Sequence, residues 1–204
     1  VNSRHKRPMD RRLLAALAEH PVMASLVGVE MAERFTSSTA TPLGILASIP
    51  LGDLAATVGL TVEAGKIGFV NIDSTPGLGH DPGALAYLQG IGAVGICSTR
   101  QAMIERATGM GLLTMQKVFV TDRSNLRRSL QSITRSQPDL VQVMPAMVLR
   151  HVERQIREVG VPCLAAGFVQ SADDVVAALK HGAVGVCTSD QELWDLRRSS
   201  LRAS

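Results

Sequence analysis

The sequence is poor in aromatic residues: Phe, Trp and Tyr together make up 3% of it, with one Trp and one Tyr. A core cannot rest on rings, so Val, Leu, Ile, Ala and Met must fill it, within a hydrophobic fraction of 46%. Few rings also weigh against a base-stacking platform for single-stranded nucleic acid. Cysteine is scarce too. Cys97, Cys163 and Cys187 are odd in number and form no C-x-x-C pair, which argues against a disulfide framework or structural zinc and fits a reducing cytoplasm. No stretch is expected to span a membrane. The apolar run at residues 13–18 is too short for a signal-peptide core and ends at Glu19. Nor does one charge dominate: 21 Lys+Arg against 18 Asp+Glu leave a formal +3. The histidines His5, His20, His80, His151 and His181 show no ligand spacing, so neither a metal site nor a cofactor is expected.

What is present is alternation. Short apolar runs at 22–27, 43–47, 67–72, 94–97, 112–118, 140–143, 163–165 and 184–187 read as strands, several of them preceded by Pro or Gly. Runs without polar alternation are those of parallel strands buried on both faces. Amphipathic segments lie between them. The clearest spans 171–181, with Ser171 and Asp174 as a capping box, Val175, Val176 and Leu179 as its stripe, and Gly182 just past its end. Others span 147–159 and about 125–134.

The segment Gly92-Ala93-Val94-Gly95-Ile96-Cys97-Ser98-Thr99 is nearly copied as Gly182-Ala183-Val184-Gly185-Val186-Cys187-Thr188-Ser189. The copies lie about four strand–helix units apart, which in an eight-unit barrel places them across the axis, the pattern of a duplicated half-barrel. Two ordinary buried strands sharing small residues would look similar. Eight strands in one short chain favour an α/β fold of the (β/α)8 TIM-barrel type over an open sheet. Residues 1–20 read as a basic N-terminal extension or helix, 21–195 as one barrel, and 196–204 as a basic tail. Open-sheet nucleotide motifs are missing. Gly59 and Gly65 are one residue too far apart for a phosphate loop, and Ile67 stands where it needs Ser or Thr.

In such a barrel the functional face is at the C-terminal ends of the strands. Reading those ends gives Asn71, Asp73, Ser98, Thr99, Arg100, Lys117, Asp122, Gln142, Gly167, Phe168, Thr188 and Ser189. The last two units suit phosphate, with small residues at Ala165-Ala166-Gly167, hydroxyls at Thr188 and Ser189, and a short helix expected over 190–194. Asp73 and Asp122 could pair as acid and base with Lys117 as electrophile. Asp73 could equally orient a polyol and Asp122 cap a helix. His80-Asp81 falls in a loop that either touches a ligand or is a solvated tip.

From about Gly65 to Trp194 the chain resembles the glycerol-3-phosphate responsive antiterminators. The resemblance is carried by Val70-Asn71-Ile72-Asp73, Gly95-Ile96-Cys97-Ser98-Thr99-Arg100, Gln116-Lys117-Val118-Phe119-Val120-Thr121-Asp122, Pro138-Asp139 with Val143-Met144-Pro145, Ala166-Gly167-Phe168, and Thr188-Ser189 with Glu192-Leu193-Trp194. It implies a barrel that senses glycerol 3-phosphate and acts on messenger leader RNA. The ligand-binding residues it points to are Asn71, Asp73, Arg100, Lys117, Gln142, Gly167, Phe168, Thr188 and Ser189. The chain departs from the family where His is usual at Asn71, Arg at Lys117, Glu at Gln142, and Gly at Ala146 and Ala166. Lysine cannot reproduce a guanidinium fork, and Ala166 narrows the room for phosphate if that position needs a positive φ.

The leading expectation is therefore a non-catalytic, ligand-gated regulator in which Arg123, Arg127, Arg128, Arg150, Arg154 and Arg157 meet RNA. Further basic residues cluster at the start (Arg4, Lys6, Arg7, Arg11, Arg12) and at Arg197, Arg198 and Arg202. Such clusters are also ordinary solvated helix faces. Homo-oligomers remain compatible with this reading. The alternatives are a lyase or isomerase acting on a phosphorylated triose or glycerol, and a sensor that has lost RNA binding.

Overall fold

A computed structural model of the protein describes residues 10–201. Arg4, Lys6, Arg7 and Arg202 lie outside that span. Eight parallel strands, β1 (Val22–Val27), β2 (Leu43–Ala47), β3 (Ile67–Asn71), β4 (Gly95–Ser98), β5 (Leu113–Phe119), β6 (Leu140–Met144), β7 (Cys163–Ala166) and β8 (Gly185–Thr188), follow one another around a closed barrel. β1 and β8 close the ring, with Met23 beside Cys187 and Ala24 beside Thr188. Helices α1 (Arg11–Glu19), α2 (Val29–Ser38), α3 (Leu51–Glu63), α4 (Pro82–Gly90), α5 (Gln101–Gly109), α6 (Arg123–Ser136), α7 (Leu149–Glu158) and α8 (Ala172–Lys180) surround it. The expected (β/α)8 barrel is thus the fold, and β4 and β8 stand opposite each other. No helix among the described residues is long and apolar enough to cross a membrane.

Strand boundaries differ from the apolar runs by a residue or so, for a physical reason. Gly92, Gly111 and Gly182 take φ of +80°, +86° and +89° just after α4, α5 and α8. The following amides turn back into the helix, Ala93 N to Leu88 O, Leu112 N to Ala107 O and Ala183 N to Ala178 O. These are Schellman closures, which satisfy the last helical carbonyls and delay the strand. Capping sets the other helix ends. Asp122 accepts from the amides of Ser124 and Asn125 at the start of α6, so its capping role is the one realised. Ser171 Oγ accepts from Asp174 N, while Asp174 accepts from Ser171 Oγ and Gln170 N, one residue earlier than in a standard capping box. α7 begins with a 3₁₀ turn at Ala146–Val148.

Two apolar layers result. The outer one, between strands and helices, contains Val22, Ala24, Ile96, Val143 and Val186. The inner one, along the axis, contains Met23, Ile45, Phe69, Cys97, Met115, Leu140 and Leu164. Adjacent residues of one strand enter different layers, as the period-two geometry requires. Leu13 and Leu17 of α1 join the inner cluster, so this helix closes the N-terminal end of the barrel. The C-terminal segment lies against it, through Arg197 to Glu19 at 3.0 Å and Arg198 to the Leu17 and Val184 carbonyls.

The cysteines are buried and free. Burial pushes the Cys163 and Cys187 thiols up to about 12, from the usual 9.0, and Cys97 moves the same way. The fold therefore favours the neutral thiols. Their contribution is fully present below the ordinary thiol pKa and is lost as pH rises through the folded values. Stability should accordingly decline between pH 9 and about 12, and iodoacetamide at pH 8 should label the urea-unfolded chain but scarcely the native one.

Close approach explains Gly185. A Cβ there would sit 2.6 Å from Pro21 O and 3.0 Å from Leu17 Cδ2, whereas one at Gly59 in α3 would meet nothing within 4 Å. Gly185→Ala is expected to cost ~1–3 kcal/mol by overpacking. Gly59→Ala should instead stabilise by ~0.5–1 kcal/mol through helix propensity. Urea denaturation midpoints at unchanged slope would check both.

Candidate functional site

Period-two alternation carries the inward side chains from apolar at the floor to polar at the strand ends. Along β3 the inward positions run Phe69 then Asn71, along β5 Met115 then Lys117, and along β6 Leu140 then Gln142. Asn71, Lys117 and Gln142 line a cavity of about 430 Å³ at the C-terminal end of the barrel. The end of β8 and the loops after β7 and β8 complete its wall with Thr188, Gly167, Phe168 and Ser189. The structure thus brings together seven of the nine expected ligand residues. The cavity's size is within the range of small-molecule sites.

Lys117 is the one cation among the described residues lining it, and Asp190 the one carboxylate. Lys117 Nζ lies 3.4 Å from Asn71 Oδ1. Burial raises the Cys187 thiol's pKa, and the neighbouring Gln142 side chain and the Lys117 charge both oppose that rise. The inner lining is therefore one ammonium among neutral amide and thiol groups, joined by Ser25 of β1. Ser25 was absent from the strand-end reading, because it sits inside an apolar run. Its inward parity with Met23 was the available signal.

Two expected ligand residues lie off the lining. Asp73 accepts from Ser98 Oγ at 2.7 Å and from Thr99 N at 2.6 Å. It ties the β3 end to the β4 end, with His80 Nε2 3.8 Å away. Arg100 is the exposed N-cap residue of α5, and its amide donates to Ser98 Oγ. Asp73 is held by the β4 end and Asp122 by the first turn of α6, so the structure does not present them as an acid–base pair. Asp81 caps α4 through Ala84 N.

The phosphate-side loops are braced rather than open. Thr188 Oγ1 donates to Val169 O at 2.8 Å and accepts from Asp190 N, so this hydroxyl joins the two loops instead of offering a spare donor. Ser189 beside it is exposed. The expected short helix is a 3₁₀ turn over Gln191–Leu193, capped by Asp190. The buried Trp194 donates Nε1–H to Thr188 O at 2.9 Å and fixes that turn under β8. Ala166 is an ordinary strand residue. The positive φ values fall on Gly167 at +81° and Phe168 at +61°, so alanine at 166 carries no backbone strain.

The arginine clusters are exposed, on α6 and α7. On α7, Arg154 pairs with Glu158 and Arg157 with Glu153. Arg123, Arg127 and Arg128 on α6 make no ion pair among the described residues.

Comparison with known proteins agrees with this architecture. A glycerol uptake operon antiterminator regulatory protein from Listeria monocytogenes superposes with a TM-score of 0.80 at 23% identity, over 93% of this chain and 98% of that one. A glycerol uptake operon antiterminator-related protein from Thermotoga maritima gives 0.77 at 24% identity, over 87% and 99%. By sequence, the uncharacterized protein YgcP of Escherichia coli K12 is 27% identical over 143 residues, 68% of this chain and 73% of that protein. Residues 22–194 match the family described as glycerol-3-phosphate responsive antiterminator. That match spans the whole barrel, from the first residue of β1 to the tryptophan beneath β8, and on it the chain belongs to the glycerol-3-phosphate responsive antiterminator family.

Proposed function

We propose that the protein is a ligand-responsive regulator that binds glycerol 3-phosphate or a similar small phosphoester at the barrel mouth and engages leader RNA through its outer helices. The observation that carries this reading is the cavity itself, in which the lone ammonium of Lys117 stands beside Asn71 and other neutral hydrogen-bonding groups, while the one carboxylate of the lining, Asp190, accepts from Glu192 N. Such a lining suits a small anionic polyol. Lys117 supplies charge, Asn71, Gln142 and Ser25 face hydroxyls, and the backbone of the β7 and β8 loops meets the phosphate where small residues permit close approach. Asp73 and Arg100 act one step removed, by shaping the end of β4. A regulator also requires that ligand favour one conformer over another. The loops shared by cavity and surface, braced by Thr188, are the elements such a preference would act on.

Ligand binding is tested by thermal-shift titration. Glycerol 3-phosphate should stabilise saturably, and glycerol or inorganic phosphate alone much less. Lys117→Ala should remove about 2 kcal/mol of binding, the worth of a charged hydrogen bond. Turnover of a phosphorylated triose, lost in the same variant, would replace the regulator by an enzyme.

RNA binding is tested by fluorescence anisotropy across a salt series. Affinity should fall steeply with salt. Arg127→Ala and Arg128→Ala should each lower the slope by about 1. Arg154→Ala, whose guanidinium is already paired with Glu158, should change it little.

A further inference from the structure

We propose that nucleic acid lies across the mouth of the barrel over β5, β6 and β7 as a single strand, its bases stacking on Phe119 and Phe168. This rests on the RNA-binding reading above and gives it a location that the helix-face arginines alone do not.

The scarcity of rings weighs against an extended stacking platform, but the few aromatic side chains present are divided unevenly. Phe35, Phe69 and Trp194 are wholly buried, but Phe119 is 52% exposed and Phe168 is 74% exposed. Met147 is 60% exposed. The strand ends and loops that carry the three are neighbours. Phe119 is in register with Met144 at the end of β6, and Ala146 N donates to Gly167 O, joining the next two loops. Met147, Arg150 and Phe168 line a common groove of about 200 Å³. Burial cannot explain a phenylalanine at φ +61° that points into water. A bulky side chain in the left-handed region costs energy, and such outliers gather where a ligand is clamped.

The occupant follows from charge. Arg123 and Arg127 stand on the first turns of α6 and Arg150 on the first turn of α7, so all three are at the mouth end of their helices. None makes an ion pair among the described residues, Arg150 donating only to the His151 ring. The neighbouring carboxylates Asp122 and Asp174 accept from backbone amides, which hold both below the usual carboxylate range. Exposed rings flanked by unpaired guanidinium groups fit a polyanion that presents flat apolar faces, and stacking of this kind tolerates any base. A second copy of the same face would set these arginines against their own kind.

Phe168 also lines the 430 Å³ cavity. A small anion below and a strand above would therefore touch the same loop, so each should alter the other's affinity by the same factor.

The test uses labelled oligouridylate and oligoadenylate, and an RNA duplex of equal length, on the full chain by fluorescence anisotropy. Single strands of both sequences should bind better than the duplex. Phe119→Ala and Met147→Ala lie outside the cavity lining. Phe119→Ala should weaken strand binding about tenfold and Met147→Ala less, both with the glycerol 3-phosphate thermal shift unchanged. Saturating glycerol 3-phosphate should shift strand affinity at least fivefold. Preference for the duplex, or strand binding insensitive to Phe119→Ala and Phe168→Ala but lost in Arg127→Ala/Arg128→Ala, would overturn the location while leaving the RNA reading intact. Failure of every RNA to bind would overturn both. Sedimentation showing a dimer that Phe119→Ala dissolves would assign the face to self-association instead. Loss of the ligand shift alone would remove the coupling and the ligand reading, and would leave the strand site standing.

Discussion

The structure depends on closing a parallel sheet upon itself. Once β1 pairs with β8, every strand has two neighbours and no edge is left to cover. Each residue then has one of two destinations, the axis or the helix layer. The axis is narrow, so its lower part must be filled, and Phe69, Met115, Leu140 and Leu164 fill it from above the floor made by Leu13 and Leu17. Only the upper end has room for polar groups. Asn71, Lys117 and Gln142 converge there because each is two residues beyond a buried apolar residue of its own strand, Phe69, Met115 and Leu140 respectively.

Around that opening, hydrogen bonds between neighbouring loops replace the sheet where it ends. Asp73 joins β3 to β4, Thr188 joins the β8 loop to the β7 loop, and Ala146 joins the β6 loop to Gly167. A polar residue at a strand end can therefore face a ligand or hold a neighbour. Sequence position alone does not distinguish the two. Lys117 and Asp73 follow buried runs equally well, yet only Lys117 reaches the cavity.

This division explains what the sequence makes legible. The eight strands are evident because buried parallel strands need uninterrupted apolar residues, and 22–27 and 43–47 match β1 and β2 residue for residue. The starts of β4, β5 and β8 are less evident, because Schellman closures at Gly92, Gly111 and Gly182 occupy the next residue before the strand begins. That shared closure also accounts for part of the resemblance between residues 92–99 and 182–189, since both need Gly for the turn. Ser25 was hidden because one hydroxyl in an apolar run reads as noise until its parity is known. The left-handed backbone of Phe168 had no local signal, since phenylalanine is among the residues least expected to adopt it.

The one tryptophan has a consequence of its own. Trp194 is sealed from water, yet its indole N–H is bonded to the carbonyl of Thr188, whose side chain braces the two loops of the opening. Any displacement of those loops is felt by a single indole in an otherwise nearly dark protein. The molecule carries its own fluorescent reporter, placed one hydrogen bond away from the loops that frame the opening.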